Sequence, residues 1–254
     1  MEGDQSTGDA LERRARRALA VVSVAVFLAS STWFTGTAVT PLLTEAWSLS
    51  TAAGAWLTIG TQVGFIAGTF LYSILNLSDI FNARRVFAAS ATLGALFNLG
   101  FAWLAEGLAA AVVFRVLTGV TLAGVYPVGM KLIATWFRDG LGYRLGIMVG
   151  ALTLGTAAPY LLGTLAAEFP WYVPVAIASG LAVTGGLFVL LAVEDGPFLR
   201  RKAAFDASML VRVFRERKFR LTAFGYFAHM WELYAFWSLV GVYLTASFGD
   251  GNSW

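Results

Sequence analysis

Long apolar runs, each about as long as a membrane-crossing helix, follow one another along most of the chain. A hydrocarbon core about 30 Å thick needs roughly 20 mostly apolar residues in helical form. Seven runs meet this requirement, and short polar stretches separate all but the last two. The predicted spans are 18–39, 52–75, 86–105, 108–131, 145–166, 171–193 and 221–246. The pattern therefore predicts an all-α membrane protein with seven transmembrane helices.

Composition supports this class and excludes several others. Hydrophobic residues make up 58% of the chain and charged residues 13%, whereas soluble domains carry about 45–50% and about 25%. The sequence has no cysteine and one histidine, which excludes disulfides, cysteine-based metal sites and a multi-histidine metal site within one chain. It also lacks a phosphate-binding loop and a Ser/His/Asp set. We therefore expect no cofactor and no enzymatic activity.

Positive charge is confined to alternate connections between the predicted spans. Seventeen Lys and Arg residues lie outside the spans or, for Lys131, at the cytoplasmic end of one, and all fall on one side if the seven spans alternate in direction: Arg13, Arg14, Arg16, Arg17, Arg84, Arg85, Lys131, Arg138, Arg144, Arg200, Arg201, Lys202, Arg212, Arg215, Arg217, Lys218 and Arg220. The opposite loops hold acids: Glu45, Glu106, Glu168 and Asp250. Because cytoplasmic loops carry the Lys/Arg excess, the N-terminus is predicted inside an inner (plasma) membrane and the C-terminus outside. The basic residues thus indicate a lipid surface as partner and no nucleic acid.

The domain organisation follows from these spans. We expect a basic cytoplasmic tail over 1–17, a six-helix bundle over 18–193, a basic loop over 194–220, a seventh helix over 221–246 and an external end over 247–254. Residues 1–12 are expected to be unstructured. The segment 200–220 is either an amphipathic helix on the lipid surface or a solvated linker. A cleaved signal peptide is disfavoured, because the first apolar run is too long.

Three segments carry motif-like spacing. After the second span, Asp79 is followed by Asn82, Arg84 and Arg85. In the fourth span, Arg115 and Gly119 form an Arg-x-x-x-Gly sequence. The fifth span repeats small residues, in the order Gly146, Gly150, Gly155, Ala158, Pro159 and Gly163.

Taken in order, these segments resemble the major facilitator superfamily from about Thr32 to Leu244. The first is similar to its loop between helices 2 and 3, with Asn82 in the place of a glycine, since Asn tolerates left-handed backbone geometry. The second is similar to its helix-4 pattern, and the third is a loosened form of a Gly-Pro motif that does not by itself predict antiport. The resemblance implies structural or gating roles for a set of residues: Asp79, Arg84, Arg85, Gly119, Gly150, Gly155 and Pro159.

The resemblance also implies an architecture and a mechanism. Members of the family have two six-helix halves, each built from inverted three-helix repeats, and bind their solute between the halves. This chain would supply the first half and the first helix of the second, which resembles that of anion-transporting members. We therefore expect a secondary transporter working by alternating access, whose C-terminal half is truncated or supplied by another chain. A non-transporting assembly protein and a seven-helix receptor-like protein stay open as alternatives.

Ionisable residues inside the spans are the candidates for chemistry, because a charge at the bilayer centre costs about 2.5–3.5 kcal/mol on insertion scales. Arg115 lies about seven residues from the outer end of its span. It either contacts an anion or a coupling proton, or it pairs with backbone carbonyls or helix 1 and stabilises the bundle. With few cations on the outer face, the first interpretation favours an anionic solute.

His229 and Glu232 are three residues apart on one face of the seventh span. Glu232 is predicted to bind and release a proton during transport, with His229 as its helper or merely as a hydrogen-bond partner. Aromatic residues offer cavity-lining surface; the candidates are Trp33, Tyr126 and Trp231, although packing or lipid contact is the alternative for each.

Overall fold

The computed structural model describes residues 2–165, 169–199 and 212–248 and contains no strand among them. Its main helices are α1 Glu2–Ser30, α2 Thr35–Ala46, α3 Thr51–Ile74, α4 Leu77–Ile80, α5 Ala83–Leu104, α6 Leu108–Leu122, α7 Tyr126–Ala134, α8 Leu141–Leu165, α9 Tyr172–Ala192 and α10 Arg217–Phe248. The chain divides into two compact units, Met1–Ala203 and Ala204–Trp254, and α10 belongs to the second. The prediction of an all-α membrane protein is confirmed.

Six helical segments in the described part are long and apolar enough to cross a membrane: span 1 (Gly8–Ala46, α1 with α2), span 2 (Ala52–Ile74, α3), span 3 (Ala83–Leu104, α5), span 4 (Leu108–Ala134, α6 with α7), span 5 (Leu141–Thr164, α8) and span 6 (Tyr172–Ala192, α9). The predicted seventh span forms a helix, α10, but does not reach the same hydropathy. His229, Glu232 and several Tyr and Trp side chains make it less apolar. That α10 crosses the membrane therefore stays a prediction.

The N-terminal stretch is helical, so the expectation of an unstructured tail is wrong for residues 2–12. Helix α1 begins at Glu2 and continues without interruption into span 1. Its sequence from Ala10 to Ala18 is rich in Ala, Leu, Glu and Arg, the strongest helix formers. Glu12 and Arg16, four residues apart, add an ion pair of 2.6 Å. The loop segment 200–211 and the end 249–254 lie outside the described residues.

The six spans pack in a pattern that repeats between the first three and the last three. Span 2 lies against span 4, and span 5 lies correspondingly against span 1. Span 3 contacts span 4 as span 6 contacts span 1, and spans 3 and 6 pack on each other. Exchanging spans 1–3 with spans 4–6 leaves this set of contacts unchanged. The arrangement is that of two three-helix repeats, as the resemblance implied.

Glycines bring two of these helix pairs into backbone contact. A Cβ atom at Gly64 would collide with the backbone of Val116, and one at Gly119 with the backbone of Thr61. Span 5 approaches span 1 in the same way, because a Cβ at Gly155 would collide with Phe27. Small residues allow such approach in membrane bundles. The sequence suggested this role for the glycines of the fifth span generally.

Spans 1 and 4 are each interrupted, which the hydropathy pattern did not predict. In span 1, α1 ends before a turn over Ser31–Phe34. The Ser31 and Thr32 hydroxyls donate to the carbonyls of Leu28 and Ala29, and such side-chain bonds compete with the helical ladder. In span 4, α6 ends at Leu122, where Pro127 has no N–H and its ring excludes the carbonyl of Ala123 from a helical position.

Candidate functional site

Arg115, on α6, is completely buried and points at the interruption in span 1. Its Nη1 donates to Thr35 Oγ1 at 2.9 Å and to Asn98 Oδ1 at 2.8 Å. Its Nη2 donates to the carbonyl of Thr32 at 3.1 Å and to that of Trp33. The turn in span 1 frees these carbonyls from the helical ladder, and the guanidinium gives them partners.

The network continues into the remaining spans through Asn98 on α5. Its side-chain amide donates to the carbonyl of Val175 at 3.2 Å and to Ser179 Oγ at 3.0 Å, both on α9. Its Oδ1 also accepts a hydrogen bond of 2.8 Å from Thr35. Spans 1, 3, 4 and 6 are thus joined by a single buried set of hydrogen bonds centred on Arg115.

The positive charge of Arg115 is compensated by the dipoles of backbone carbonyl groups. The carbonyls that it contacts lie at the C-terminal end of α1, where the helix dipole is negative. The ring of Phe101 lies 5.7 Å from the guanidinium carbon. Only Nε has no hydrogen-bond partner. The geometry supports the interpretation in which Arg115 stabilises helix 1, because a bound anion would have to displace these carbonyls.

Trp33, the aromatic candidate of helix 1, lies in the turn of span 1 and is 5% exposed. Its ring packs on Phe65 of α3 with centroids 4.7 Å apart. The indole Nε1 is buried and has no hydrogen-bond partner in the described part of the chain. An unmet buried donor costs about 1–3 kcal/mol, so this nitrogen is a place where a bound molecule or a water would be stabilised.

Three hydroxyl groups lie beyond this aromatic pair, toward the end of the bundle where α2 ends and α3 begins. Thr37 on α2 and Thr58 on α3 share a hydrogen bond of 2.6 Å, and the Tyr160 hydroxyl on α8 lies near Thr37. We call Trp33, Thr37, Thr58, Phe65 and Tyr160 the aromatic–hydroxyl cluster. It joins spans 1, 2 and 5. The sequence alone does not single out the three hydroxyl residues of this cluster. Polar residues are common in apolar runs, and only the fold brings these three residues together.

The other aromatic and glycine candidates occupy separate places. Tyr126 is half-buried at the first residue of α7, directly after the interruption of span 4. Pro159 is buried inside α8. Gly150, on the same helix, is exposed and has open space beside its Cα. Gly150 therefore does not share the close helix packing of Gly155.

The acidic residue of the predicted loop motif pairs with a neighbouring span. Asp79 Oδ1 lies 2.6 Å from Lys131 Nζ on α7, and both side chains are about three-quarters buried. Lys131 also donates to the carbonyl of Ser78 at 2.5 Å. The motif therefore fastens the end of span 2 to span 4, and its acid does not contact its own two arginines.

The remaining residues of the motif form hydrogen bonds with the chain just after span 6. Asn82 donates to the carboxylate of Asp195 at 3.0 Å, and Arg84 donates to the carbonyl of Val193 at 2.7 Å. Asn82 caps α5 in an extended conformation, with φ −62°. The left-handed residue of this region is Asn76, with φ 51°, so the left-handed geometry expected of Asn82 is wrong.

Arg85 points away from these contacts. It is exposed and lines a groove of about 310 Å³ between α3 and α5, together with Tyr72, Phe81 and Ser90. The groove lies at the end of the bundle that carries the basic residues, since Arg85 lines it and the neighbouring Arg84 pairs with Asp195, next to the Glu194 that Arg14 contacts.

The candidates of the second unit lie on α10. Glu232 and His229 are both exposed within the described part, and no hydrogen bond joins them there. Trp231 is 80% exposed. Each of these three side chains is therefore free of packing inside its own unit.

Comparison with known proteins identifies the family. Residues 21–251 match the family described as Major Facilitator Superfamily, which is most of the chain. A search of the curated proteins gives no match. Members of the family are membrane transporters of small molecules. The chain belongs to the major facilitator superfamily.

Proposed function

We propose that this member of the superfamily supplies one six-helix bundle of a secondary transporter that moves a small solute by alternating access. The observation that carries the proposal is the uneven burial of the spans. Spans 2 and 5 are 28% and 22% buried, against 67% and 61% for spans 1 and 3. Spans 2 and 5 are equivalent in the two repeats, so the bundle offers two matching open helices.

The interruptions of spans 1 and 4 support a solute site at one depth. α2 has 12 residues and α6 has 15, and both run from the same end of the bundle to an interruption. With a rise of about 1.5 Å per residue, the two interruptions lie about 18 Å and about 22 Å from that end. Irregular backbone at membrane depth is tolerated where protein buries it or where it lines a cavity, and transporters bind solutes there.

The open helices need a second bundle for transport. We propose that spans 2 and 5 pack against it and that α10 is its first helix. Transport by alternating access needs the remaining helices of that bundle as well. Rocking of one bundle against the other would then expose the solute site to each side in turn.

Uptake into vesicles tests this proposal. Proteoliposomes containing the chain with its second bundle are expected to take up a radiolabelled solute saturably, in a screen of small anions, sugars and drugs. Empty vesicles are the control. Intact, correctly inserted protein that gives no saturable uptake of any of these classes would favour the assembly-protein alternative.

Glu232 is our candidate for proton coupling. It lies within an apolar helix, shares a face with His229 and is exposed within its own unit. A carboxylate in such a segment is costly to keep without a role. We propose that it takes up and releases one proton in each transport cycle, with His229 beside it.

A charge-neutral substitution separates proton coupling from solute binding. Glu232→Gln in the complete transporter is expected to abolish accumulation against a gradient while exchange of solute across the membrane continues. Glu216→Gln, an exposed acid next to α10, is the matched control and is expected to accumulate normally. Accumulation by Glu232→Gln at the control level would exclude the proton role.

A further inference from the structure

The interior of the bundle offers no free charge to a solute. In the described part of residues 18–192, Arg115 is the one charged side chain outside the terminal turns of the helices. Its Nη donors all face Thr35, Asn98 and span-1 carbonyls, and it is fully buried. Arg115 Nε has no hydrogen-bond partner among the described residues, but an anionic group of the solute would have to displace the Nη partners to pair with the guanidinium. A charged group of the solute would therefore lose its hydration here without a ready counter-ion, which is unfavourable.

The aromatic–hydroxyl cluster offers the opposite chemistry. The hydroxyls of Thr37, Thr58 and Tyr160 each donate one hydrogen bond and accept others. At present Thr37 and Thr58 satisfy each other, and Tyr160 is 45% exposed. A hydroxyl of the solute can replace one of these partners and donate and accept in the same way.

The inner part of the cluster supplies an apolar surface and one donor. Trp33 and Phe65 form an aromatic pair. The ring of Phe34, the next residue after Trp33, lies 6.5 Å from the ring of Tyr160 between centroids. The buried Nε1 of Trp33 is one of the few buried polar atoms without a hydrogen-bond partner among the described residues. It is the one that belongs to the cluster, and it is a donor that a ligand could pair, since buried polar groups are almost always paired.

The cluster lies between the helices that the solute pathway needs. Span 1 contributes Trp33 and Thr37, span 2 contributes Thr58 and Phe65, and span 5 contributes Tyr160. Thr58 and Phe65 are seven residues apart and so share a face of α3. Spans 2 and 5 are also the two least buried spans.

We infer that the aromatic–hydroxyl cluster is this bundle's part of the solute site and that it binds an uncharged, hydroxyl-bearing part of the solute against an apolar ring face. The inference rests on the proposed function and replaces the anionic solute suggested by Arg115 in the sequence. Arg115 then shapes the site by holding the turn that carries Trp33, without contacting the solute.

Three ring solutes test the class, because each charged analogue differs from the neutral one at a single position, C2 in the amine and C6 in the carboxylate. Equilibrium dialysis of the purified chain in detergent micelles is run with D-glucose, with its cationic analogue D-glucosamine and with its anionic analogue D-glucuronate. Uncharged myo-inositol is a second neutral probe. A neutral probe is expected to bind at least about tenfold more tightly than either charged analogue, the difference that about 1.4 kcal/mol gives.

Near-isosteric variants place the binding at the cluster. Thr37→Val, Thr58→Val and Tyr160→Phe each remove one hydroxyl, and Trp33→Phe removes the indole donor. Each is expected to weaken binding of the neutral probe about two- to tenfold, as one lost hydrogen bond would. Thr153→Val is the matched control, because that exposed hydroxyl on α8 bonds only its own helix, at Val149, and it is expected to bind normally.

The inference is overturned if no neutral probe binds, if a charged analogue binds as tightly as the neutral one, or if the four variants bind like Thr153→Val. Melting temperatures of the variants identify any that fail to fold, and the remaining variants decide. Transport with failed binding would overturn the inference and leave the proposed function intact. Binding as inferred by a chain whose complete form transports nothing would overturn the function alone.

Discussion

At the scale of single residues, Arg115 organises the centre of the bundle. Its burial could be predicted from the sequence, because a lone charge in an apolar run must face protein. The sequence named backbone carbonyls or helix 1 as one possible set of partners, but it could not say which groups these are. They are the carbonyls freed by the turn over Ser31–Phe34, together with the side chains of Thr35 and Asn98. This turn arises from local hydroxyl bonds that leave the apolar run unbroken.

Removing the guanidinium should destabilise the bundle. Arg115→Met leaves the carbonyl of Trp33 without its side-chain donor and that of Thr32 with the Thr35 hydroxyl only, and an unmet buried acceptor costs about 1–3 kcal/mol. We expect a clearly lower melting temperature, followed by tryptophan fluorescence in detergent. Arg85→Met, at an exposed arginine, is the control and should melt like the unmodified protein. Equal melting of both variants would contradict the role given to Arg115.

The aromatic–hydroxyl cluster also belongs to this scale. Trp33 could be singled out from the sequence as a cavity candidate beside Thr32 and Thr35. The partnership of Thr37, Thr58 and Tyr160 depends on three spans meeting. Because these residues are far apart along the chain, the sequence did not reveal most of the cluster.

At the scale of elements, the lengths of most helices follow directly from hydropathy, whereas their interruptions do not. Spans 2, 3, 5 and 6 are close to the predicted ranges. Spans 1 and 4 contain turns caused by side-chain hydrogen bonds and by Pro127, and Pro127 is apolar enough to leave the hydropathy signal intact.

Two glycines of α8 differ in their surroundings, and comparing them shows which glycine is needed for close helix packing. Gly155→Ala places a methyl group against the backbone of Phe27, whereas Gly150→Ala enters open space. Both substitutions gain about 1 kcal/mol of helix propensity. We therefore expect Gly150→Ala to melt at the same or a higher temperature and Gly155→Ala at a lower one. Equal stability of the two would contradict the close contact of spans 1 and 5.

The ion pair that joins spans 2 and 4 should also be measurable. In a double-mutant cycle, Asp79→Asn and Lys131→Gln are each expected to destabilise the bundle, and the double variant should lose less than their sum. The exposed pair Glu12–Arg16 serves as the comparison, because surface pairs contribute about 0–1 kcal/mol. Additive losses for Asp79 and Lys131 would contradict a direct interaction.

At the scale of the whole molecule, hydropathy and the basic loops predicted the fold class, and the family match confirms it. The alternation of spans requires the basic residues of the first unit to gather at one end, and the contacts of Glu194 and Asp195 bring several of them together there. The membrane side that this end faces is not a property of the bundle alone. It depends on the positive charges and the membrane potential during insertion.

The proposed transporter bundle depends most on which side of the membrane each loop faces, and a labelling experiment measures this directly. Because the chain has no cysteine, single cysteines can be placed at Arg85, Glu106, Lys218 and Ser247 and treated with a membrane-impermeant maleimide on intact cells. We predict labelling from outside at Glu106→Cys and Ser247→Cys, and labelling at Arg85→Cys and Lys218→Cys only after the membrane is opened. Labelling that placed positions 85 and 218 on opposite faces would contradict the alternating spans and the transporter bundle built from them.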